Sequence, residues 1–164
     1  MIEAMLRERW GDVSGFSRLA EGLASQAFSF RHDAAEYVVR INGSIAGFEK
    51  DSYVSRRFAS SALPIPEVVS IGRFDEGHAL CISRRAPGVR LHDLNARSSS
   101  QIVNPSLQVM ESIAASDLVG TTGFGPFDAG GAGPYSSWKD FLMALPMPGA
   151  STGRGPDEAR TWAS

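Results

Sequence analysis

Apolar residues recur at two periods along this chain, and the change from one period to the other marks out its elements. Residues 1–15 carry spaced apolar positions that predict a short amphipathic helix ending near Gly11. Gln26–His32 alternates, with Phe28 and Phe30 on one face. Tyr37–Ile41 alternates as well: Tyr37, Val39 and Ile41 share one face, and Val38 and Arg40 the other. The connecting Asp33-Ala34-Ala35-Glu36 reads as a hairpin turn. Over 47–62 the period lengthens to that of a helix, which places Asp51, Val54 and Phe58 on one face. Leu63-Pro64-Ile65-Pro66 stops that helix, because proline disfavours helical geometry in the residue before it. Glu67–Phe74 and Ala79–Ser83 form a second predicted hairpin around Asp75-Glu76-Gly77. Ala86-Pro87-Gly88 then breaks the strand pattern.

Helical spacing returns over 105–118, at Leu107, Met110, Ile113 and Ala114. Residues 120–137 are glycine-rich yet carry Phe124, Phe127 and Tyr135, with Trp138 just beyond, which predicts an ordered loop rather than a linker. Trp138–Leu145 starts a further predicted helix. From Pro146 the sequence becomes MPGASTGRGPDEARTWAS, whose glycine, proline and charge bury little surface, so 146–164 is expected to be a disordered tail. Strand runs around one helix, followed by helical segments, predict an α+β fold with a mainly antiparallel sheet.

Composition narrows the function classes. The 164 residues suffice for one domain and part of a second. A formal net charge of -2 excludes the basic balance usual in nucleic-acid binders. The single cysteine, Cys81, excludes an internal disulfide and fits a reducing cytoplasm. The start, MIEAMLRERWGDVSG, lacks the apolar core of a secretory signal, and no apolar run approaches the roughly 20 residues that span a bilayer. No membrane partner is therefore expected.

The most informative pair is Arg40 and Asp51. A strand carries a cation on the face opposite its apolar stripe, and eleven residues later a helix carries a carboxylate on its apolar face. Charged groups are rarely buried unless paired, so the economical reading is that the two meet. Protein kinases hold a cation against ATP phosphates with such a strand-to-helix pair. On spacing alone, a partly exposed arginine and a solvated aspartate remain the alternative.

The strings EGLASQAFSF, YVVRIN, GFEKDSYVSRRFASSALPIPEVVSIGRF and CISRRAPGVRLHDL resemble the N-terminal lobe of the aminoglycoside phosphotransferase family, most closely its hygromycin B phosphotransferases. TGFGPF and YSSWKDF resemble the segment that follows. The likeness covers about residues 10–144 and is expected to stop near Leu145. It implies a protein-kinase-like N-lobe, an antiparallel sheet plus one helix, at residues 1–86. The hinge and the first helical part of an incomplete C-lobe would occupy 87–145.

The resemblance also implies roles. Arg40 stands where the family places its phosphate-contacting cation, and a guanidinium can grip phosphate oxygens bidentately. Asp51 stands where most relatives have glutamate, and its shorter side chain suits the longer arginine. Glu21–Ala27 falls at the turn that covers the triphosphate, where Ser25 and backbone amides can contact phosphate. Arg84-Arg85-Ala86 falls at the hinge, so the Arg84 carbonyl and Ala86 amide would meet the adenine edge. The Arg84 and Arg85 side chains also read as an ordinary exposed pair after a strand.

The implied partners are ATP with Mg²⁺ and an aminoglycoside. The family's catalytic loop, His-x-Asp-x-x-x-x-Asn, and its metal-binding aspartate are not found here. His32 and His92 are each followed directly by aspartate, and His78 by Ala79. His32 and His92 read as surface residues near turns, and Cys81 as core within a strand. Asp117 and Asp128, at a helix end and in a loop, give no reason to be ligands. No zinc spacing, Ser/His/Asp order or Walker A string occurs. No catalytic or metal-binding residue is therefore assigned. The expected function is that of an ATP-dependent phosphotransferase of the hygromycin B type, truncated and inactive alone, with self-association through an exposed lobe interface. The alternative is a non-enzymatic remnant or a nucleotide-binding module that works with a partner.

Overall fold

The computed structural model describes residues 1–19, 26–88, 93–94 and 100–146. Helix α1 (Ile2–Trp10) carries Ile2, Leu6 and Trp10 at intervals of four, and this row, with Met5, lies on the core. The helix ends at Gly11, whose φ of 76° lets its amide return to the Arg7 carbonyl at 2.9 Å. Strands β1 (Ser14–Arg18), β2 (Gln26–His32) and β3 (Ala35–Asn42) follow. Helix α2 (Ile45–Phe58), then β4 (Val68–Arg73) and β5 (Ala79–Arg84), complete an antiparallel five-stranded sheet of order β1-β2-β3-β5-β4.

The two alternating runs pair as expected, with Phe30 opposite Tyr37 and Phe28 opposite Val39. Their turn is shorter than the four residues expected. Asp33 (φ 49°) and Ala34 (φ 61°) alone form it, and two consecutive left-handed residues suit the twist of a tight hairpin. Ala35 and Glu36 already belong to β3.

The central position of β5 explains why Ala79–Ser83 is buried throughout. Leu80 and Ile82 face α1, joining Leu6, Val13, Phe30, Tyr37, Val39 and Ile41. Ala79 and Cys81 face α2 and meet Phe48. The sheet is thus covered by one helix on each face.

Helix α2 corrects the sequence expectation in length and in facing. It spans 45–58 rather than 47–62, and the chain turns at Ser60–Leu63, before the first proline. Its buried residues are Phe48, Ser52 and Ser55, not the Asp51, Val54 and Phe58 row. Two serines let the helix lie close to the sheet. Ser55 donates its hydroxyl to the Pro66 carbonyl at 2.9 Å and accepts the Val68 amide at 3.4 Å, so its burial leaves nothing unpaired. Ser52 accepts from Arg56.

After the sheet, a 3-10 turn (Ser100–Ile102) leads into α3 (Val103–Ala114), and α4 (Trp138–Ala144) closes the described part. The helical spacing over 105–118 is real, but no residue of α3 is buried: Leu107, Met110 and Ile113 are all more than half exposed. The glycine-rich stretch between α3 and α4 is ordered as expected. Phe124 and Tyr135 exchange backbone bonds of 2.9 and 3.3 Å, and the Asp128 carboxylate accepts the Gly130 and Ala132 amides at 2.8 and 3.0 Å. Those amide bonds hold the Asp128 carboxyl below its ordinary range. Gly131 (φ 82°) lies against the Tyr53 ring, where any side chain would strike the phenol. Tyr53 and Arg57 therefore tie α2 to this stretch: Arg57 donates to the Asp117 carboxylate at 3.0 Å and to the Val119 carbonyl at 3.1 Å. Helix α4 is capped by Ser137, whose oxygen accepts the Asp140 amide at 3.1 Å. Among the described residues, no helix is long and apolar enough to cross a membrane.

Candidate functional site

The sheet register decides where Arg40 goes. Arg40 is the cross-strand partner of Cys81, so both side chains stand on the α2 face, beneath the turn of helix that carries Phe48 and Asp51. The pairing expected from the sequence is made. Arg40 Nη2 lies 2.7 Å from Asp51 Oδ2, a charge-assisted hydrogen bond. The same Nη2 lies 3.6 Å from Cys81 Sγ, and the guanidinium carbon sits 5.3 Å from the centre of the Phe48 ring. Among the described residues, Nε and Nη1 have no protein acceptor. The group is thus held through one nitrogen and keeps donors on the other two, which suits a guanidinium that receives a second anion.

The electrostatics agree. Burial works against the Arg40 charge, but the hydrogen bond that Arg40 donates to Asp51 and the attraction of Cys81 and Asp51 outweigh it, and its pKa stands above the ordinary arginine value. Burial pushes the Cys81 thiol up, against the pull of Arg40, so at neutral pH this sulfur is a protonated core group rather than a nucleophile.

The pair is not sealed from water: the Arg40 and Asp51 side chains keep 33% and 44% of their surface exposed. Solvent therefore screens it. Asp51→Ala is expected to cost about 1 kcal/mol, not the roughly 3–5 kcal/mol of a fully buried pair. Urea denaturation of the variant measures this directly, and a loss of about 3 kcal/mol or more would mean that the crevice is dry.

The other expected site residues lie apart from this cluster. Arg84 ends β5: its amide donates to the Glu67 carbonyl at 2.8 Å, and the Arg85 amide to the Glu36 carbonyl at 2.9 Å. Ala86 is exposed, beyond these bonds. The Arg84 side chain stacks 4.8 Å over the Tyr37 ring and faces Glu67 at 3.6 Å. Arg85 faces Glu36 at 3.3 Å. A hydrogen bond from Arg31, aided by Arg85, keeps the Glu36 carboxyl below its usual range. These side chains are occupied with local pairs, which leaves the backbone as the part of the segment able to meet a ligand. Ser25, most of the Glu21–Ala27 turn, His92 and all of the expected tail beyond Pro146 lie outside the described residues.

Three other polar residues singled out in the sequence have structural partners. His32 rests against the edge of Trp10, with Nδ1 3.1 Å from the Asp12 carbonyl. His78 pairs with Asp75 at 2.8 Å. Asp117 accepts the Val119 amide at 2.9 Å besides the Arg57 bond. Among the described residues, no group of three or more His, Cys, Asp or Glu side chains could hold a metal ion. Phe48 was not expected at the site. Its only sequence signal is the spacing of three residues to Asp51, and that spacing does not say which neighbour Arg40 would touch.

Comparison with known proteins adds what geometry alone does not. No family model matches the chain. It is 43% identical over 175 aligned positions to the hygromycin-B 4-O-kinase of Escherichia coli, a match covering 99% of this chain and 51% of that protein. The match therefore runs past Leu145, where the likeness was expected to stop. The fold superposes on the crystal structure of the aminoglycoside phosphotransferase APH(4)-Ia with a TM-score of 0.83 at 48% identity, covering 87% of this chain and 48% of that one. A thermostable mutant of the same phosphotransferase, solved as a ternary complex with AMP-PNP and hygromycin B, matches with the same TM-score at 50% identity over the same shares of each chain. The GDP and kanamycin complex of APH(2")-IIIa, at 16% identity and a TM-score of 0.54, shares the fold. The chain spans about half the length of the relatives that it matches.

Proposed function

We propose, from the premise that this chain is a close homologue of the aminoglycoside phosphotransferase family over the N-terminal portion of those enzymes, that its residues form the phosphate-gripping half of an ATP-dependent kinase for hygromycin-type aminoglycosides. The observation that carries this reading is the half-open Arg40 guanidinium, fixed by Asp51 at 2.7 Å, in a fold that superposes on a phosphotransferase solved with an ATP analogue. In this reading residues 1–86 are the N-lobe and 87–145 the hinge and part of the helical lobe. Arg40 takes phosphate oxygens through its remaining N–H groups, and Asp51 keeps it aimed. The Arg84 carbonyl and Ala86 amide face adenine, and Ser25 lies near the triphosphate.

Phosphoryl transfer rests on positioning and charge stabilisation, and Mg²⁺, where bound, would neutralise developing charge. Among the described residues no group of three or more His, Cys, Asp or Glu side chains offers that ion a ligand set. The exposed apolar residues of α3 and α4, Leu107, Met110, Ile113, Trp138 and Leu142, are in this reading a surface for the rest of the phosphotransferase fold, and a route to self-association without it.

With only part of the site supplied, the 164-residue chain is expected to bind ATP more weakly than about 1 mM, equivalent to under roughly 4 kcal/mol. Calorimetric or NMR titration of the chain and of Arg40→Ala tests this. Weak binding lost in Arg40→Ala supports the reading. Micromolar, Arg40-dependent binding would favour instead a self-sufficient nucleotide-binding module. Weak binding indifferent to Arg40 would remove the residue from the site.

A further inference from the structure

The cluster around Arg40 contains more than an ion pair, and its composition is specific to arginine. Nη2 is shared between Asp51 Oδ2 at 2.7 Å and Cys81 Sγ at 3.6 Å, while the guanidinium carbon lies 5.3 Å from the Phe48 ring centre. An ammonium could donate to the same two acceptors through its one nitrogen but would keep a single N–H for anything else. A planar guanidinium can meet two through one nitrogen, approach an aromatic ring, and still present Nε and Nη1 outward. Phe48 is 2% exposed and Cys81 0%, so both are fixed by the core rather than by the cation. They make a rigid floor, and Asp51 makes the wall.

We infer that Phe48 and Cys81 are positioning residues: the ring and the thiol hold the Arg40 guanidinium in one orientation, so that its remaining Nε–H and Nη1–H groups stay available to phosphate. The part concerning phosphate rests on the function proposed above. The part concerning orientation stands on the contacts alone. Asp51 by itself fixes one nitrogen and leaves the group free to turn about that bond; the ring removes this freedom. Phe48 and Cys81 touch no substrate in this arrangement and act only through Arg40.

The test uses the full 164-residue chain with 15N-labelled arginine, the Arg40 Nε–Hε signal being assigned by its disappearance in Arg40→Lys. Phenylalanine at position 48 is replaced, site-specifically, by rings of increasing fluorination. These keep nearly the same shape while draining negative charge from the ring face. The expected result is a graded one: rotation about the Arg40 Cζ–Nε bond speeds up and the Nε–Hε signal moves with each added fluorine. The shift that ATP induces at Arg40 weakens in the same order. Cys81→Ala is expected to speed the rotation too, and Cys81→Ser, which keeps an acceptor, to restore it. A merely structural role for Phe48 predicts no such grading, because packing is conserved across the series. An Arg40 signal unmoved by the series overturns the positioning inference, whatever ATP does. If the series moves Arg40 but ATP does not shift it in the parent chain, the phosphate reading falls and the orientation of Arg40 by Phe48 stands.

Discussion

Phe30→Ala is expected to cost about 3–5 kcal/mol, the largest loss of stability from any single truncation in the sheet. Phe30 is 1% exposed and sits where α1 meets the strands. Its ring stacks on Tyr37 at 5.3 Å and meets Trp10 edge-on at 5.6 Å, and Trp10 in turn lies 4.9 Å from Tyr37. Removing it leaves a cavity between a helix and a sheet that cannot both collapse inward, because the ladder of β2 and β3 fixes the distance between Tyr37 and its neighbours. The loss is a large fraction of the roughly 5–15 kcal/mol that holds an ordinary domain together, so the variant should unfold at a markedly lower denaturant concentration. Guanidinium denaturation followed by tryptophan fluorescence measures it. Phe124→Ala serves as the control: that ring is 46% exposed, and its loss should cost under about 1 kcal/mol. Equal losses at the two positions would mean that α1 does not seal the sheet.

Phe30 also shows what the sequence makes legible. The alternation over Gln26–His32 and Tyr37–Ile41 names the α1-facing side of both strands, because a strand has only two faces and the large apolar residues fall on one of them. The same pattern puts Arg40 on the far face of β3, and the eleven-residue spacing to Asp51 then leads to the observed ion pair. A helix is harder to orient. The row of Asp51, Val54 and Phe58 is more apolar than that of Phe48, Ser52 and Ser55, yet the second row is the one buried. Close approach of α2 to β4 and β5 favours small serines that can bond the Pro66 and Val68 backbone, and hydrophobicity does not measure that. The Phe48 and Cys81 contacts of Arg40 were illegible for a related reason. They depend on β3 pairing with β5 in one register, and nothing local specifies which residue of β5 lies across from Arg40. The hinge and Ser25 came from resemblance alone: neither Arg84-Arg85-Ala86 nor Glu21–Ala27 carries a pattern that physics reads as a nucleotide site.

The 164-residue chain by itself is expected to transfer no phosphate to hygromycin B. A kinase of this kind needs both ends of the transfer organised, the phosphates on one side and the acceptor hydroxyl on the other. In the function proposed above, Arg40 and Asp51 serve only the first. For the second, the resemblance implies a His-x-Asp-x-x-x-x-Asn loop. None of the three histidines begins one: Asp33 follows His32, Ala79 follows His78, and Asp93 follows His92. Three of the described carboxylates are already committed, Asp117 to Arg57 and the Val119 amide, Asp128 to the Gly130 and Ala132 amides, Asp75 to His78 and the Gly77 amide. The hydrogen bonds that commit them hold all three below the ordinary carboxyl range, which makes them poor bases as well as occupied ones. The assay is ATP-dependent phosphorylation of hygromycin B by the purified chain, read by mass spectrometry of the antibiotic. No product is expected from the chain alone. Supplying the half of the related phosphotransferase that this chain does not span, as a separate polypeptide, should yield product that disappears in Arg40→Ala. Product from the chain alone, lost in Arg40→Ala, would place an acceptor-orienting group among these residues and overturn the assignment of Arg40 and Asp51 as only the phosphate half of the site.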